Sequence, residues 1–351
     1  MRISYESRRP VTARVRVFRA PPVKSDVPPR ASPTFSVVVA AYNAADTIAE
    51  AVESALRQTL PPLEVIVCDD GSTDRTAAAL EPFGDRVTYI RKWRGGVASA
   101  WNVALGRTRG EFFAVLGADD AYMPTRLEAL TELATARSDL DILCTDAFLE
   151  LDGQPVSKFG DDTPFEVADQ ATAILERCFC VAPAARTRTL IDAGGFDESL
   201  SRGSDWECVI RLLHRQAIAG LVDEPLYRYR FHARSLTADR VRTLRDRVGF
   251  LERVGQTYNL SDRERAVLAR SVARQRASLA LTEAEAALRG GSPDARRRAF
   301  VAARTPTVGF RARTAALAAA LAPKAARRAL ERREMRSGRS RLKRSLGRST
   351  P

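Results

Sequence analysis

Three acidic signals stand in order along this chain: Asp69-Asp70-Gly71-Ser72, then Asp119-Asp120, then Asp205. The first follows the apolar run Val65-Ile66-Val67, and the second ends the run Phe112-Phe113-Ala114-Val115-Leu116. Short continuous runs of this kind read as parallel strands buried on both faces. Ligands of open α/β sheets gather at the carboxyl ends of such strands. A chain folded this way brings carboxylates from distant positions to one crevice. There they can read a base, hold a metal and take a proton.

The pattern between these signals alternates strand and helix. Order begins at Phe35, with Ser36-Val37-Val38-Val39-Ala40 as a first strand. Thr47 to Leu60 fits a helix, with Ile48, Val52, Ala55 and Leu56 on one face. Thr47 and Glu50 have capping-box spacing, and Pro61-Pro62 stops the helix. Further strands are expected at Leu63–Cys68, Val87–Ile90, Glu111–Leu116 and Leu140–Cys144, and helices at Val97–Leu105 and Pro124–Ala136. Ser72 or Thr73 is placed to cap the helix after the second strand. A mostly parallel, twisted sheet flanked by helices is the economical solution.

Beyond residue 145 the alternation breaks, and Phe148–Val156 around Asp152-Gly153 has hairpin character. Helices are expected near Ala171–Arg177, over Thr187–Ala193 ending at Gly194-Gly195, and over Ser204–His214; an extended segment follows at Leu221–Phe231. From Ala238 the texture turns to Ala/Arg/Leu helices, with a capping box at Ser261 and Glu264 and a helical hairpin at Gly290-Gly291. Four regions follow: a disordered basic arm over 1–34, a catalytic domain over 35–237, a helical region over 238–323 and a basic tail over 324–351.

The chain has 351 residues and a formal net charge of +13, which favours anionic partners. Much of that charge lies in the tail, outside the expected catalytic unit. Cys68, Cys144, Cys178, Cys180 and Cys208 match no zinc-type spacing and fit buried thiols in a reducing cytosol. With only His214 and His232, a His-rich zinc site is excluded. No apolar leader opens the sequence, and its longest Ala/Leu stretch, Ala315–Ala322, falls short of the ~20 residues of a membrane span. The expected location is cytoplasmic, with peripheral contact at the inner face of the membrane.

The ordered set of motifs resembles the family 2 inverting glycosyltransferases of GT-A fold, over roughly Phe35 to Thr237. The resemblance is carried by Val37 through Asn43, Val65 through Asp74, Gly96 through Asn102, Gly110-Glu111-Phe112, and Asp119-Asp120 with Pro124. Gly194 through Glu198, Ser204-Asp205-Trp206 and Tyr229-Arg230-Phe231-His232 with Ser235 complete it. It implies a single displacement from a nucleotide-sugar, a UDP-sugar by expectation, to a hydroxyl of a glycan or lipid-linked acceptor. Cell-envelope polysaccharide biosynthesis is the setting it suggests.

By this resemblance Asp70 contacts the base, with Ala40, Tyr42 and Asn43 as the near wall and Asn102 and Ala118 bordering the pocket. Asp119, supported by Asp120 and reached by His232, holds Mg²⁺ or Mn²⁺ against the diphosphate, whose charge grows as the glycosidic bond breaks. Asp205 is the base that deprotonates the acceptor hydroxyl. The chain departs from the family pattern at Gly117, where aspartate is usual, and at Ser204, where glutamate is common.

Each motif also has a plain structural reading. Asp-Gly-Ser-Thr-Asp is an ordinary turn and helix cap, Asp119 can cap a turn, and Ser204-Asp205 can cap the helix of Trp206. The Arg-rich tail reads as an anionic-lipid contact or as a solvated terminus. It lacks the interleaved aromatics of a nucleic-acid binder, and no nucleic-acid partner is expected. Two other functions compete. One is a nucleotidyltransferase, which calls for a basic phosphate loop where this chain has Ala41-Tyr42-Asn43-Ala44-Ala45. The other is a catalytically silent nucleotide-sugar-binding or membrane-associated module, which Gly117 favours.

Overall fold

The computed structural model describes residues 32–151, 153–232, 234–330 and 332. The arm up to residue 31, Asp152 of the expected hairpin turn and the basic tail from 333 lie outside the described residues.

Among the described residues nine strands form one sheet: β1 (Phe35–Ala41), β2 (Glu64–Asp69), β3 (Thr88–Arg91), β4 (Phe112–Gly117), β5 (Ala121–Tyr122), β6 (Ile142–Leu151), β7 (Gln154–Lys158), β8 (Ala184–Arg186) and β9 (Ala219–Phe231). Their order is β3-β2-β1-β4-β8-β6-β9-β5, with β7 beside β6. The β3-β2-β1-β4 half is parallel throughout, and beyond it the pairing is mixed. Helices α1 (Ile48–Leu56), α2 (Thr76–Leu80), α3 (Val97–Leu105), α4 (Arg126–Ala136), α5 (Phe159–Asp162), α6 (Gln170–Glu176), α7 (Thr187–Asp192) and α8 (Ser204–Leu213) fall between the strands. After them come α9 (Arg240–Thr257), α10 (Asp262–Arg289), α11 (Ala295–Arg304) and α12 (Phe310–Leu321).

The apolar runs are continuous because the parallel half is covered on both faces. Along β1, Val38 joins one core while Val37, Val39 and Ala41 join the other. Ile66 and Cys68 of β2 divide in the same way from Val65 and Val67. Each valine or isoleucine so buried stabilises the fold by about 1.5–3 kcal/mol, so a charge at Val38 would break the sheet's centre. Phe250, Leu251, Val254 and Leu268, from α9 and α10, belong to the same core as α3 and α8. The change of texture at 238 is therefore no gap in packing. The end of α10, α11 and α12 pack around their own alanine-rich core.

Two expected caps do not form. Thr47 makes no side-chain cap on α1, because Glu50 is drawn instead to Arg228 and Arg230 of β9. Ser72 and Thr73 lie ahead of α2, whose N-cap is Arg75. The capping box at Ser261 and Glu264 does form, with Glu264 accepting from the Ser261 N–H at 2.7 Å and Ser261 Oγ accepting from the Glu264 N–H at 3.3 Å. It opens α10.

One pairing matters most for the site. β5 follows Asp119-Asp120 directly and lies antiparallel to β9, Ala121 opposite Arg228 and Tyr122 opposite Tyr227. Extending that register sets Asp119-Asp120 beside Tyr229-Arg230, more than a hundred residues away in sequence. β9 is held in turn by its long parallel pairing with β6, from Ile142↔Ala219 to Leu151↔Phe231.

Candidate active site

The carboxyl ends of β2, β1 and β4 lie side by side, so Asp70 and Asp119 share one edge of the sheet. Two strand spacings, about 10 Å, separate their strands. At the β2 end the chain binds itself tightly. Asn43 adopts left-handed backbone (φ 49°), its N–H donates to Ser72 Oγ at 2.9 Å, and its Oδ1 accepts from the Thr73 N–H at 2.8 Å. The Ala44 and Ala45 N–H groups donate to Thr76 Oγ1 and Asp74 Oδ2. Ser72 and Thr73 thus fasten the loop after β1, while Asp74 both holds that loop and accepts from the Thr76 N–H at the start of α2.

Asp69 and Asp70 are both buried. Asp69 accepts from the Ser72 N–H at 2.7 Å and from the Tyr89 hydroxyl at 2.6 Å. Burial and this carboxylate push the Tyr89 phenol well above its usual range. Asp70 Oδ1 accepts from Lys92 Nζ at 2.7 Å and the Gly95 N–H at 2.8 Å, and Oδ2 accepts from the Gly96 N–H at 2.7 Å. Three of the roughly four acceptor sites of that carboxylate are taken by the chain itself. Gly71 (φ 78°) makes the approach possible, since a side chain there would press on the Arg94 and Lys92 backbone. The outer face of this end is open: Arg94 stacks 3.7 Å over the Tyr42 ring, and the Trp93 side chain is fully solvated. Ala40 pairs with Cys68 on one side and Gly117 on the other, beneath the space between the two ends.

Asn102 faces elsewhere. Its amide donates to Phe196 O and Glu198 and accepts from the Phe196 N–H at 2.8 Å. It anchors the turn after Gly194-Gly195, and Trp101 is packed inside against Phe196.

At the β4 end the side chains are freer. Asp119 is a third exposed, and its Oδ2 lies 2.9 Å from His232 Nε2, itself about a third exposed. The Arg234 N–H donates to His232 Nδ1, which leaves the neutral ring's proton on Nε2, facing Asp119. Arg230 reaches Glu50 by an ion pair and lies near the Asp119 carbonyl. The hydrogen bond from Arg230 holds Glu50 below the usual carboxylate range.

Asp120 turns the other way, into the protein. It accepts from the Tyr227 hydroxyl at 2.6 Å and the Arg230 N–H at 2.9 Å. Burial and the neighbouring Asp119 charge push its pKa up to about 7. Tyr227 is fixed by the Gly117 N–H, which donates to its hydroxyl, and by the buried Arg126 guanidinium 5.0 Å from its ring. Gly117, the departure from the family pattern, has a local cause. A Cβ at 117 would collide with Asp120 Oδ2, so the inward Asp120 and the missing side chain go together. Asp120 therefore does not stand beside Asp119 as a second exposed ligand. Ala118 is buried beneath that turn.

Asp205 is exposed in the first turn of α8. Gly203 (φ 78°), not Ser204 or Asp205, is the N-cap, and a side chain at 203 would press on the Phe250 ring. Tyr229 joins this residue to the β4 end. Burial pushes its phenol up to about 12, and the negative charges of Asp120, Asp205 and Asp119 all add to that shift. Of the expected site residues, Asp119 and His232 meet at the end of β9, while Asp205 stands exposed at the start of α8 and its charge adds to the Tyr229 shift. Ala40, Tyr42, Asn43 and Asp70 form the adjoining end, and Asn102 is engaged apart from both. Lys92, Glu50 and Tyr227 were missed as shapers of the site. Only the Gly117 departure hinted at one of them.

Among the described residues no three His, Cys, Asp or Glu side chains gather as a complete metal cage. One exposed carboxylate beside an imidazole suits an ion that takes its other ligands from a phosphate-bearing substrate, as Mg²⁺ commonly does.

The fold is that of the GT-A glycosyltransferases. TarS of S. aureus (residues 1–349, complex with UDP-GlcNAc) superposes with a TM-score of 0.59 at 20% identity, covering 81% of this chain and 83% of that one. The mannosyltransferase PcManGT of Pyrobaculum calidifontis, solved with GDP-Man and Mn²⁺, gives 0.56 at 22% identity, covering 87% and 83%. In sequence, the glycosyl transferase family 2 profile matches residues 36–160. An uncharacterized glycosyltransferase of Rickettsia typhi is 26% identical over 196 residues, 53% of this chain and 61% of its own length. The chondroitin synthase of Escherichia coli is 33% identical over 186 residues, 51% of this chain and 26% of its own. The chain thus spans less than two thirds of these curated relatives. Its residues 36–160 are thus similar to glycosyl transferase family 2.

Proposed function

We propose that the protein transfers a sugar from a nucleotide-sugar, a UDP-sugar, to an acceptor hydroxyl by single displacement with inversion. The observation that carries this reading is the pairing of the part-exposed Asp119 with His232 at the β4 end, beside the β2 end that Asp70 fastens. The nucleotide would lie over Tyr42, Asn43 and Ala40, with the base at the remaining acceptor site of Asp70. A divalent cation, Mg²⁺ or Mn²⁺, would be held by Asp119, and by His232 Nε2 in the tautomer that carries its proton on Nδ1, with the Arg234 N–H contact given up. When bound it neutralises the departing diphosphate. Asp205, exposed in the first turn of α8, takes the proton of the attacking hydroxyl. Asp120, Tyr227 and Arg230 hold the β4 turn in place.

The relatives support donor chemistry of this kind: TarS has been solved with UDP and with UDP-GlcNAc. No described helix is long and apolar enough to cross a membrane. The acceptor, a glycan or a lipid-linked saccharide, and any contact of the basic tail with anionic lipid belong to this proposal, as does a cytoplasmic site of action. The test is to incubate the protein with a panel of nucleotide-sugars and Mn²⁺ and follow nucleotide diphosphate release. Release from a UDP-sugar, lost on chelation, is expected. No release from any donor, with no cation-dependent UDP binding, would leave only a silent module.

A further inference from the structure

A cavity of about 480 Å³ opens behind the end of β9, with His232 and Phe231 on one side and Arg240, Leu244 and Arg247 of α9 on the other. It joins the two halves of the proposed chemistry. His232 stands 2.9 Å from Asp119, while Arg247 lies 5.6 Å over the ring of Trp206, the residue after Asp205. The nucleotide end at Asp70 lies on the far side of Asp119, along the sheet edge.

The arginines of α9 differ in their partners; Arg242, which does not line the cavity, has no carboxylate within ion-pair distance among the described residues. Arg245 and Arg253 of α9 are paired with Glu283 and Asp197. Arg240 and Arg247 have no carboxylate partner within ion-pair distance among the described residues, although both face the cavity. Seven residues apart, they sit two turns apart on one helix face and flank the space from both ends. Two guanidinium groups suit a phosphate, whose several oxygens can accept from both at once. The volume lies in the range of a small-molecule site.

We infer that this cavity is an acceptor subsite that recognises a phosphate group, with Arg240 and Arg247 gripping the phosphate while the acceptor hydroxyl faces Asp205. The inference rests on the transferase reading above. The phosphate can belong to a soluble sugar or polyol phosphate, or to the head of a lipid carrier. The apolar wall of Phe231 and Leu244 leaves room for either.

The experiment measures binding to the full chain by calorimetry, with UDP and Mn²⁺ titrated separately. Probes are sn-glycerol 3-phosphate against glycerol, and farnesyl phosphate against farnesol. At least tenfold tighter binding of a phosphorylated member is expected, and which pair shows it identifies the source. Arg240→Gln and Arg247→Gln should each weaken that binding at least fivefold, Arg247→Lys should recover part of it, and UDP affinity should stay within twofold. Equal affinity for both members of each pair, indifference to both Gln variants, or displacement of the probe by UDP would overturn the subsite. Phosphate binding without any UDP binding would instead overturn the transferase reading, and the acceptor assignment with it.

Discussion

The two acidic ends of this sheet edge use the same residue type in opposite ways. At the β2 end, Asp69 and Asp70 are buried; Ser72 and Tyr89 engage both oxygens of Asp69, and Lys92, Gly95 and Gly96 nearly saturate Asp70. At the β4 end Asp119 keeps solvent-facing oxygens, as Asp205 does at the start of α8, and the one acid turned inward, Asp120, bonds to Tyr227 and Arg230. A carboxylate whose acceptor sites are filled by its own chain builds a wall, while one with open sites can meet a cation or a proton. The contrast separates residues that shape the donor site from residues that act in it.

The largest effect should come from Asp205→Asn: transfer falls about 10²- to 10⁴-fold, the usual worth of a general base. UDP affinity should hold, and an equal loss of UDP binding would erase the distinction between the two ends. Asp70→Ala should act the other way, through the fold. Loss of the Lys92 ion pair and two backbone donors should cost about 2–4 kcal/mol in urea unfolding, because Lys92 is left mostly buried. An unchanged midpoint would mean that the β2 end is not held by this carboxylate.

Gly117→Asp, which restores the residue usual in the family, should destabilise by about 1–3 kcal/mol because it forces Asp120 out of its pocket. A more stable or more active variant would refute that coupling. The smallest effect is a slope. Folded Asp120 keeps its proton up to about pH 7, where the unfolded chain has already lost it, so its contribution to stability is present at low pH and lost as pH rises toward 7. With chelator present, Asp120→Asn should remove that fall, read as the difference in urea midpoint between pH 5 and 8.

Much of the frame was legible because it depends on local pattern. α3 runs over Val97–Leu105 as the sequence predicts, and the capping box at Ser261 forms because Glu264 keeps Oε2 on Ser261 while Oε1 faces His214. The same box fails at Thr47, because Glu50 finds Arg230, 180 residues away. Ser72 failed as a cap for a similar reason: the loop after β1 offers it an N–H that helix spacing could not foretell. Tyr227 reads as a core residue, and it is buried, but the role of its hydroxyl depends on register between strands.

Apolar runs, turn residues and the order of the acidic motifs determined the α/β frame and the edge to which the acids would go. Those signals work over a few residues, within reach of backbone geometry and side-chain periodicity. Which acids face outward was decided by the packing of β5 on β9 and of α9 behind it. A carboxylate's solvent exposure and hydrogen-bond partners belong to neighbours brought near by long-range pairing, and no local spacing encodes them.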